Sequence, residues 1–178
     1  MKKIIFIPIL LFSLCVMSQD LFAEAGAQYK EALRLIREKK HDFAFMELRS
    51  ILKDFPKSRY AQDALFGVAE YCYEHNMHYD AIKGFTEYIN MYPDSKAVIF
   101  AKAYILKIMD KIKNPTEEEK NALESIKRDF FSGPLFLLFS EYKETSYKSP
   151  FLNRFKIRYY FDNIEIYRND EIFLKITQ

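Results

Sequence analysis

Two stretches of the sequence repeat each other at an offset of 37 residues, and this repeat restricts the possible folds more than any other feature. Residues 41–58 align with residues 78–95, and both end in an aromatic residue followed by Pro-x-Ser. A repeat of about 20–50 residues is typical of a solenoid, whose units bury their apolar faces against their neighbours. The matched pairs are Ala44 with Ala81, Leu48 with Phe85, Ile51 with Tyr88, Pro56 with Pro93, and Ser58 with Ser95.

Each repeat unit has the sequence features of a helical hairpin. Pro56 and Pro93 cannot continue a helix, and the residue before a proline avoids the helical conformation. Ser58 and Ser95 are placed to cap the following helices through their hydroxyl groups, and Asn76 tolerates the left-handed conformation that ends a helix. Two apolar stripes at helical spacing flank that turn: Ala61, Ala64, Leu65, Val68, Ala69 and Cys72, then Ala81, Ile82, Phe85, Tyr88 and Ile89.

The residues that open and close this hairpin resemble those of known bacterial repeat proteins. Residues 55–73 begin Phe-Pro-Lys-Ser and place alanines at the next helical positions, and residues 79–85 read Tyr-Asp-Ala-Ile-Lys-Gly-Phe. This pattern resembles the tetratricopeptide repeats of the BamD outer-membrane assembly lipoproteins and of the CpoB proteins associated with the Tol-Pal system. The resemblance covers roughly residues 22–112 and implies a helical-hairpin solenoid that serves as a protein-binding scaffold. The chain has fewer recognisable repeats than BamD-like proteins.

The same resemblance implies a binding groove. In this class of repeat, the first helix of each hairpin lines a concave side that receives partner peptides. Aromatic residues with a few charges are typical of binding hot spots. The alternative is that some of these side chains only pack between units. By repeat position, the groove residues are Tyr29, Phe66, Glu70, Tyr73, Phe100 and Lys107.

The amino-terminal residues are typical of an export signal. Lys2 and Lys3 precede an apolar run over residues 4–14, which is shorter than the ~20 residues that span a membrane. Small residues favour cleavage after Ser18, although residues 23–25 offer a second site and an uncleaved anchor is a further alternative. The sequence therefore predicts a signal peptide over residues 1–18 and export from the cytoplasm.

Cys15 allows a second interpretation, in which a lipid is attached to its thiol. The bulky Leu14 before it departs from the small residue that is usual at lipidation sites. A lipid would hold the protein on the periplasmic face of the outer membrane, whereas a soluble mature protein would lie in the periplasm. Removal of the signal leaves Cys72 alone, so no internal disulfide is expected. The expected partners are proteins of the cell envelope, and the sequence leaves the oligomeric state open.

The helical pattern continues beyond the two clear repeats. Residues 97–112 read as the first helix of a third hairpin. Thr116 and Glu119 have the spacing of a capping box for a further helix, which ends near Gly133. Because that helix lacks the alanine and phenylalanine landmarks, it is a degenerate third unit or a terminal cap. The predicted helical domain is residues 19–133.

From residue 154 the hydrophobic period changes to two, which predicts a three-stranded antiparallel meander within residues 134–178. A two-residue loop at 162–163 would pair Tyr159 with Ile166. A three-residue loop from Asn169 to Glu171 would keep one apolar face continuous, because a slip of one residue turns a strand over. This register places Ile172, Leu174 and Ile176 on the apolar face and Phe173 on the other. Residues 135–142 could form a fourth strand or a helix.

Catalytic or metal-binding residues are scarce. Cys72, His75 and His78 have a spacing that allows a metal site, but the core stripe and the interhelical turn explain them better. Residues 117–119 are three glutamates, which the dipole of a helix amino terminus favours without any acid chemistry. The mature chain would hold 25 basic and 25 acidic residues, which disfavours nucleic-acid binding. We therefore expect a non-enzymatic protein without metal or cofactor.

Overall fold

The computed structural model describes residues 23–111, 116–131, 144–160 and 162–177. In these ranges the chain forms helical hairpins followed by an antiparallel sheet, which confirms the predicted mainly α fold class. The helices are α1 (residues 23–37), α2 (His41–Asp54), α3 (Ala61–Glu74), α4 (His78–Met91), α5 (Val98–Met109) and α6 (Glu117–Phe131). The strands are β1 (Glu144–Lys148), β2 (Arg154–Tyr159), β3 (Asn163–Arg168) and β4 (Glu171–Thr177).

The turn inside each hairpin has the same backbone geometry in both repeats. Lys39 and Asn76 adopt the left-handed conformation, with φ of 60° and 58°. The amide of the next residue, Lys40 or Met77, donates to the carbonyl oxygen five residues earlier at 2.9 Å. This pattern satisfies the last carbonyl groups of the first helix. The prediction for Asn76 is confirmed, and Lys39 adopts the same conformation at the equivalent position.

The turn between hairpins also repeats. The amides of Phe55 and Tyr92 donate to the carbonyl oxygen four residues earlier, at 2.9 Å in both repeats. The amides of Ser58 and Ser95 then donate to the carbonyl oxygens of these aromatic residues at 3.0 Å. A 37-residue period in the sequence is thus a 37-residue period in the hydrogen-bonded backbone.

The predicted hydroxyl caps differ from what the structure contains. Ser58 Oγ has no hydrogen-bond partner among the described residues. Ser95 Oγ accepts from the Ala97 amide at 3.3 Å, before α5 begins, and pairs with Tyr88 Oη at 2.8 Å. The serine carbonyl oxygens instead accept the amides three residues later, those of Ala61 and Val98. The hydroxyl-cap prediction is therefore wrong for Ser58, because the serine carbonyl already receives the entering amide.

The described residues fall into two compact units, divided between Ala64 and Leu65. The first unit contains α1, α2 and the start of α3. Its core consists mainly of alanines, which let helices approach closely, and of larger aliphatic residues between them. These core residues are Ala25, Ala32, Leu35, Ile36, Ala44, Leu48, Ile51, Ala61 and Ala64.

The second unit is built around α5, a largely apolar helix whose two charged residues are Lys102 and Lys107. Nine of its twelve residues are buried, which is typical of a helix enclosed by other elements. It packs against α4 and α6, and rings of the sheet contact Phe100 and Tyr104. The sheet therefore lies in the same compact unit as α5, and aromatic rings of both form one core. The predicted boundary at residue 134 lies outside the described residues and stays a prediction.

The sheet has four antiparallel strands in the order β1-β2-β3-β4, one more than predicted. The additional strand, β1, follows the ambiguous residues 135–142, which lie outside the described residues. The turn between β2 and β3 is closed by the Tyr160 amide, which donates to Asn163 O at 2.8 Å. Tyr159 consequently pairs with Ile164 and not with Ile166, a register shift of two residues that leaves the buried face unchanged.

The predicted three-residue loop between β3 and β4 is wrong. The loop has two residues, Asn169 and Asp170, both left-handed with φ of 53° and 67°. A β-bulge opposite Ile166 and Tyr167 then corrects the register. As a result Phe173 is buried, with 8% of its surface exposed, whereas Ile172 is 58% exposed.

Helix α6 begins as the sequence predicts. The Thr116 amide donates to Glu119 Oε2 at 2.7 Å, and the Glu119 amide donates to Thr116 Oγ1 at 3.2 Å. This reciprocal pair confirms the capping box. Within the described ranges, no helix has both the length and the apolar character needed to cross a membrane. The predicted signal residues 1–18 lie outside those ranges.

Candidate functional site

The predicted groove residues of the second unit lie beneath the sheet. Phe66, Glu70 and Phe100 are fully buried, and Tyr73 and Lys107 are partly exposed. The sixth residue, Tyr29, belongs to the first unit. Partner binding by this set stays a prediction, and within the chain the second-unit residues contact the sheet.

Aromatic rings join α3 and α5, each the first helix of its predicted hairpin, to the sheet. The ring centroid of Phe66 lies 5.1 Å from that of Tyr147 on β1, and Phe100 lies 5.2 Å from Phe155 on β2. Tyr73 lies 6.0 Å from Phe173 on β4, and Lys107 Nζ lies 5.9 Å from the same ring. Each of the predicted groove residues Phe66, Tyr73, Phe100 and Lys107 therefore has a sheet side chain against it.

Tyr104 stands at the centre of this aromatic core. Its ring stacks on Phe85 of α4 at 4.6 Å and meets Phe173 and Phe155 edge-on at 5.0 and 5.7 Å. Aromatic pairs contribute about 0.5–1.5 kcal/mol each beyond their burial. The helices and the sheet are thus held together by one continuous core.

Glu70 is a buried carboxylate in this core, with none of its surface exposed. Tyr104 Oη donates to Glu70 Oε1 at 2.8 Å, and Asn153 Nδ2 donates to the same oxygen at 3.0 Å. Burial raises the pKa of Glu70 above its ordinary value, and hydrogen bonds from Ser149, Tyr104 and Asn153 together with the charge of Arg168 oppose that rise. Glu70 therefore connects α3 to α5 and to the loop between β1 and β2.

Arg168 on β3 forms a second charged contact with α3, through Glu74. Its Nη2 atom lies 2.6 Å from Glu74 Oε1, and its guanidinium lies 6.0 Å from the ring of Tyr104. Burial and the nearby Glu70 carboxylate raise the pKa of Tyr104 well above its ordinary value, so its hydroxyl stays protonated as a donor. The sheet is consequently fixed to α3 by polar contacts as well as by rings.

The first unit contains an open cleft of about 530 Å³ between α1 and the turn that precedes α3. The cleft has a floor of small residues and a rim of one aromatic and two basic side chains. Among the described residues, its lining consists of Ala23, Gly26, Ala27, Lys30, Arg59 and Tyr60.

Tyr60 forms the aromatic wall of this cleft and stacks on Tyr29, which is not itself one of the lining residues. The rings of Tyr29 and Tyr60 lie 5.1 Å apart, and Arg59 lies over the Tyr60 ring at 4.8 Å. A Cβ atom on Gly26 would lie 3.0 Å from Tyr60 Oη, so glycine at this position lets the ring approach α1. Tyr29 Oη in turn donates to Asp63 Oδ2 at 3.2 Å. The wall is thus fixed from both sides.

Asp63 and Tyr29 are partly buried together. Burial raises the pKa of Asp63, and the hydrogen bond from Tyr29 opposes this rise. Burial and the Asp63 carboxylate raise the pKa of Tyr29, so the phenol stays protonated. Tyr29, predicted as a groove residue, is therefore held in place by Tyr60 and Asp63.

The alternative metal site is not assembled. Cys72 is buried in the α3 core, and the His75 ring stacks on Tyr71 at 3.8 Å with Nδ1 2.9 Å from the Tyr71 carbonyl oxygen. In the described part of the chain, no group of three His, Cys, Asp or Glu side chains is placed to hold a metal ion. In the acidic first turn of α6, Glu117 lies 2.6 Å from Lys120 and Glu119 belongs to the capping box.

Sequence reasoning missed the cleft. Lys30, Arg59 and Tyr60 lie next to the repeat landmarks and not on them, so repeat alignment did not select them. The glycine at position 26 in an otherwise helical pattern was an available signal, because glycine inside a helix usually needs a packing reason.

Comparisons with protein-family models, with curated proteins and with solved structures find no match for the chain. The class that the fold defines is therefore a helical-hairpin repeat protein with a carboxy-terminal antiparallel sheet.

Proposed function

We propose that this chain is an exported, non-enzymatic adaptor of the tetratricopeptide type that binds other proteins in the bacterial cell envelope. The hairpin repeat is the observation that carries this proposal. Repeats that stack nearest-neighbour units commonly serve as extended binding scaffolds. The basic and apolar residues at positions 2–14 support export.

The scaffold role is supported by how the repeat is built. The equivalent landmarks Ala44 and Ala81, and Leu48 and Phe85, are all fully buried. The turns of the two repeats also contain the same hydrogen bonds at the 37-residue offset. A rigid frame of this kind positions exposed side chains reproducibly, which is what an adaptor requires.

In the second unit, the face that repeat proteins of this type commonly offer to partners carries the chain's own sheet. Displacing the sheet would expose several buried rings, each worth about 1.5–3 kcal/mol. The binding surface that fits this proposal is therefore one that is already open. The cleft of the first unit, with its exposed Lys30 and Arg59, is such a surface.

The test combines fractionation with crosslinking in the native host. A photo-crosslinking residue would replace exposed Ala27 at the cleft and, in a matched control, exposed Thr86 on α4. We expect the chain in the periplasmic or outer-membrane fraction, with crosslinked protein bands that depend on position 27. A chain that stays in the cytoplasm at its full mass would refute export, and identical bands from both positions would refute an adaptor role for the cleft.

A second candidate function is a lipid-anchored component of outer-membrane protein assembly. The observation that favours it is Cys15, which ends the apolar run of the predicted signal. The mass of the mature amino terminus decides between the two candidates. A diacylated chain that starts at Cys15 supports the anchored component, and an unmodified chain that starts at Gln19 supports the soluble adaptor.

A further inference from the structure

The cleft of the first unit combines an apolar floor with two basic side chains that form no ion pair with the residues described by the structure. Within residues 23–111, neither Lys30 nor Arg59 takes part in an ion pair. By contrast, Arg34 on the same helix contacts both Glu31 and Glu38. On α1, Arg34 is therefore paired with acidic side chains of its own helix, whereas Lys30 has no ion pair within residues 23–111.

The cationic groups are held in place and stay accessible. Arg59 Nη2 donates to Tyr60 Oη at 2.6 Å and its guanidinium lies over the Tyr60 ring, but the side chain remains exposed. The remaining guanidinium donors form a fork that suits a carboxylate. Lys30 is exposed on the adjacent turn of α1 and adds a second positive charge. The stacking of Tyr29 and the contacts of Arg59 hold the Tyr60 ring in place at the cleft.

The size and composition of the cleft limit what can occupy it. Its volume of about 530 Å³ lies within the range of about 300–1,000 Å³ that is usual for ligand sites. Alanines at positions 23 and 27 and glycine 26 offer a small-residue surface on which a side chain or an extended backbone can lie. Basic groups above such a floor are complementary to a carboxylate that is attached to an apolar segment.

We propose that this cleft binds an acidic, partly apolar peptide segment of a partner protein, whose carboxylates pair with Lys30 and Arg59. This inference rests on the proposed adaptor function and adds the chemistry of the partner. The small residues Ala23, Gly26 and Ala27 supply apolar contact area beside the carboxylate. The exposed ion pairs are individually weak, so affinity should fall as salt screens them.

The experiment is peptide selection from a random displayed library on the immobilised full chain. Three proteins are compared: the wild type, the double variant Lys30→Ala with Arg59→Ala, and the charge-matched control Arg37→Ala with Lys53→Ala. All four side chains are exposed, so each variant keeps the fold, which circular dichroism would verify. The control residues lie in the same unit and do not line the cleft.

We expect the wild type and the control to enrich peptides with an excess of aspartate and glutamate. The enriched peptides should bind the double variant about ten-fold more weakly, and the difference should shrink at high salt. Peptides without acidic excess, equal enrichment on the double variant, or no enrichment at all would overturn the proposal. If crosslinking still finds an envelope partner in those cases, only the partner chemistry fails and the adaptor function stands.

Other occupants of the cleft would be detected by separate measurements on the same proteins. Binding to anionic vesicles that depends on Lys30 and Arg59, without peptide enrichment, would assign the cleft to a lipid surface and overturn the proposal. Self-association in sedimentation that the double variant abolishes would assign it to a second copy of the chain. Enrichment that occurs only after removal of the residues before Ala23 would assign it to the chain's own amino-terminal segment.

Discussion

Replacing Glu70 with glutamine should change how the stability of the second unit depends on pH. Glu70 is fully buried and receives hydrogen bonds from Tyr104 and Asn153 at one oxygen. Glutamine has nearly the same shape, and its carbonyl oxygen can accept the same two donors. The substitution therefore removes the ionisable proton and leaves these contacts available.

The direction of the effect follows from the raised pKa of Glu70 in the folded chain. Because the folded state holds the proton more tightly than the unfolded chain, stability falls as pH rises from the unfolded value of about 4.3. The loss is complete once pH exceeds the folded pKa. Within that window the slope from this single group is at most about 1.4 kcal/mol per pH unit. The Glu70→Gln variant lacks this slope.

The assay is urea unfolding at a series of pH values between 3.5 and 8, followed by circular dichroism. We expect the variant to gain stability over the wild type as pH rises and to match it or fall slightly below it at the acidic end. Subtracting the two curves cancels the other titrating groups, because distant sites act additively. The exposed Glu87→Gln serves as a control and should leave the difference flat.

Two outcomes would refute this reasoning. A variant that is less stable than the wild type by the same amount at every pH would mean that Glu70 acts only through its hydrogen bonds. A difference with the opposite slope would mean that Arg168 and the hydrogen bonds outweigh the desolvation of the carboxylate.

Three further tests, which use four substitutions, address packing and helix capping. Phe173→Ala should lower the free energy of unfolding by about 3–5 kcal/mol, whereas the neighbouring Ile172→Ala should change it by about 0.5 kcal/mol or less. The reason is that the bulge buries the Phe173 ring and exposes the Ile172 side chain. Equal losses in chemical denaturation would contradict the register. Gly84→Ala would place a Cβ atom 2.9 Å from the Cβ of Ala69 and should cost about 1–3 kcal/mol, measured the same way; a neutral result would show that the α3–α4 contact can relax. Thr116→Ala should cost about 1 kcal/mol and raise amide exchange in the first turn of α6, and unchanged exchange would argue against the capping box.

The hairpins could be predicted from the sequence because their determinants are local. Pro56, Pro93 and Asn76 act on the backbone within a few residues of themselves, and the structure has turns at all three. The left-handed Lys39 carries no such signature in its residue type. Only the alignment of its position with Asn76 could have indicated it.

The docking of the sheet could not be predicted from the same patterns, because it depends on contacts between distant parts of the chain. Tyr104 lies 5.0 Å from Phe173, across 69 residues of sequence. One signal was nevertheless present. The run from Val98 to Ile108 is apolar except for Lys102 and Lys107, which indicates a helix enclosed on most of its surface rather than one that borders an open groove.

The β3–β4 register shows a different limit. The alternation of Ile172, Leu174 and Ile176 predicts one apolar face, which requires a three-residue loop before β4. The chain uses the tighter Asn169-Asp170 turn and absorbs the mismatch in a bulge. Asn169 adds a reason for this choice, since its Oδ1 accepts from the Arg154 amide at 2.9 Å.

The candidate cleft depends on both local and distant features. Gly26 and Tyr60 are separated by 34 residues, and their contact exists only after α1 and the turn before α3 come together. The positive charge of Lys30 and Arg59 is visible in the sequence, but the absence of an ion pair to either side chain within residues 23–111 is not.

The sheet contacts both α3 and α5, and these contacts limit how many hairpins can lie between the two helices. Tyr147 contacts Phe66 on one helix and Phe100 on the other, at 5.1 and 5.8 Å. A duplicated 37-residue unit inserted between these helices would move them apart, and no single position of the sheet could reach both. The same unit inserted ahead of α3 would leave that pair intact. The sheet therefore opposes the addition of a hairpin between α3 and α5.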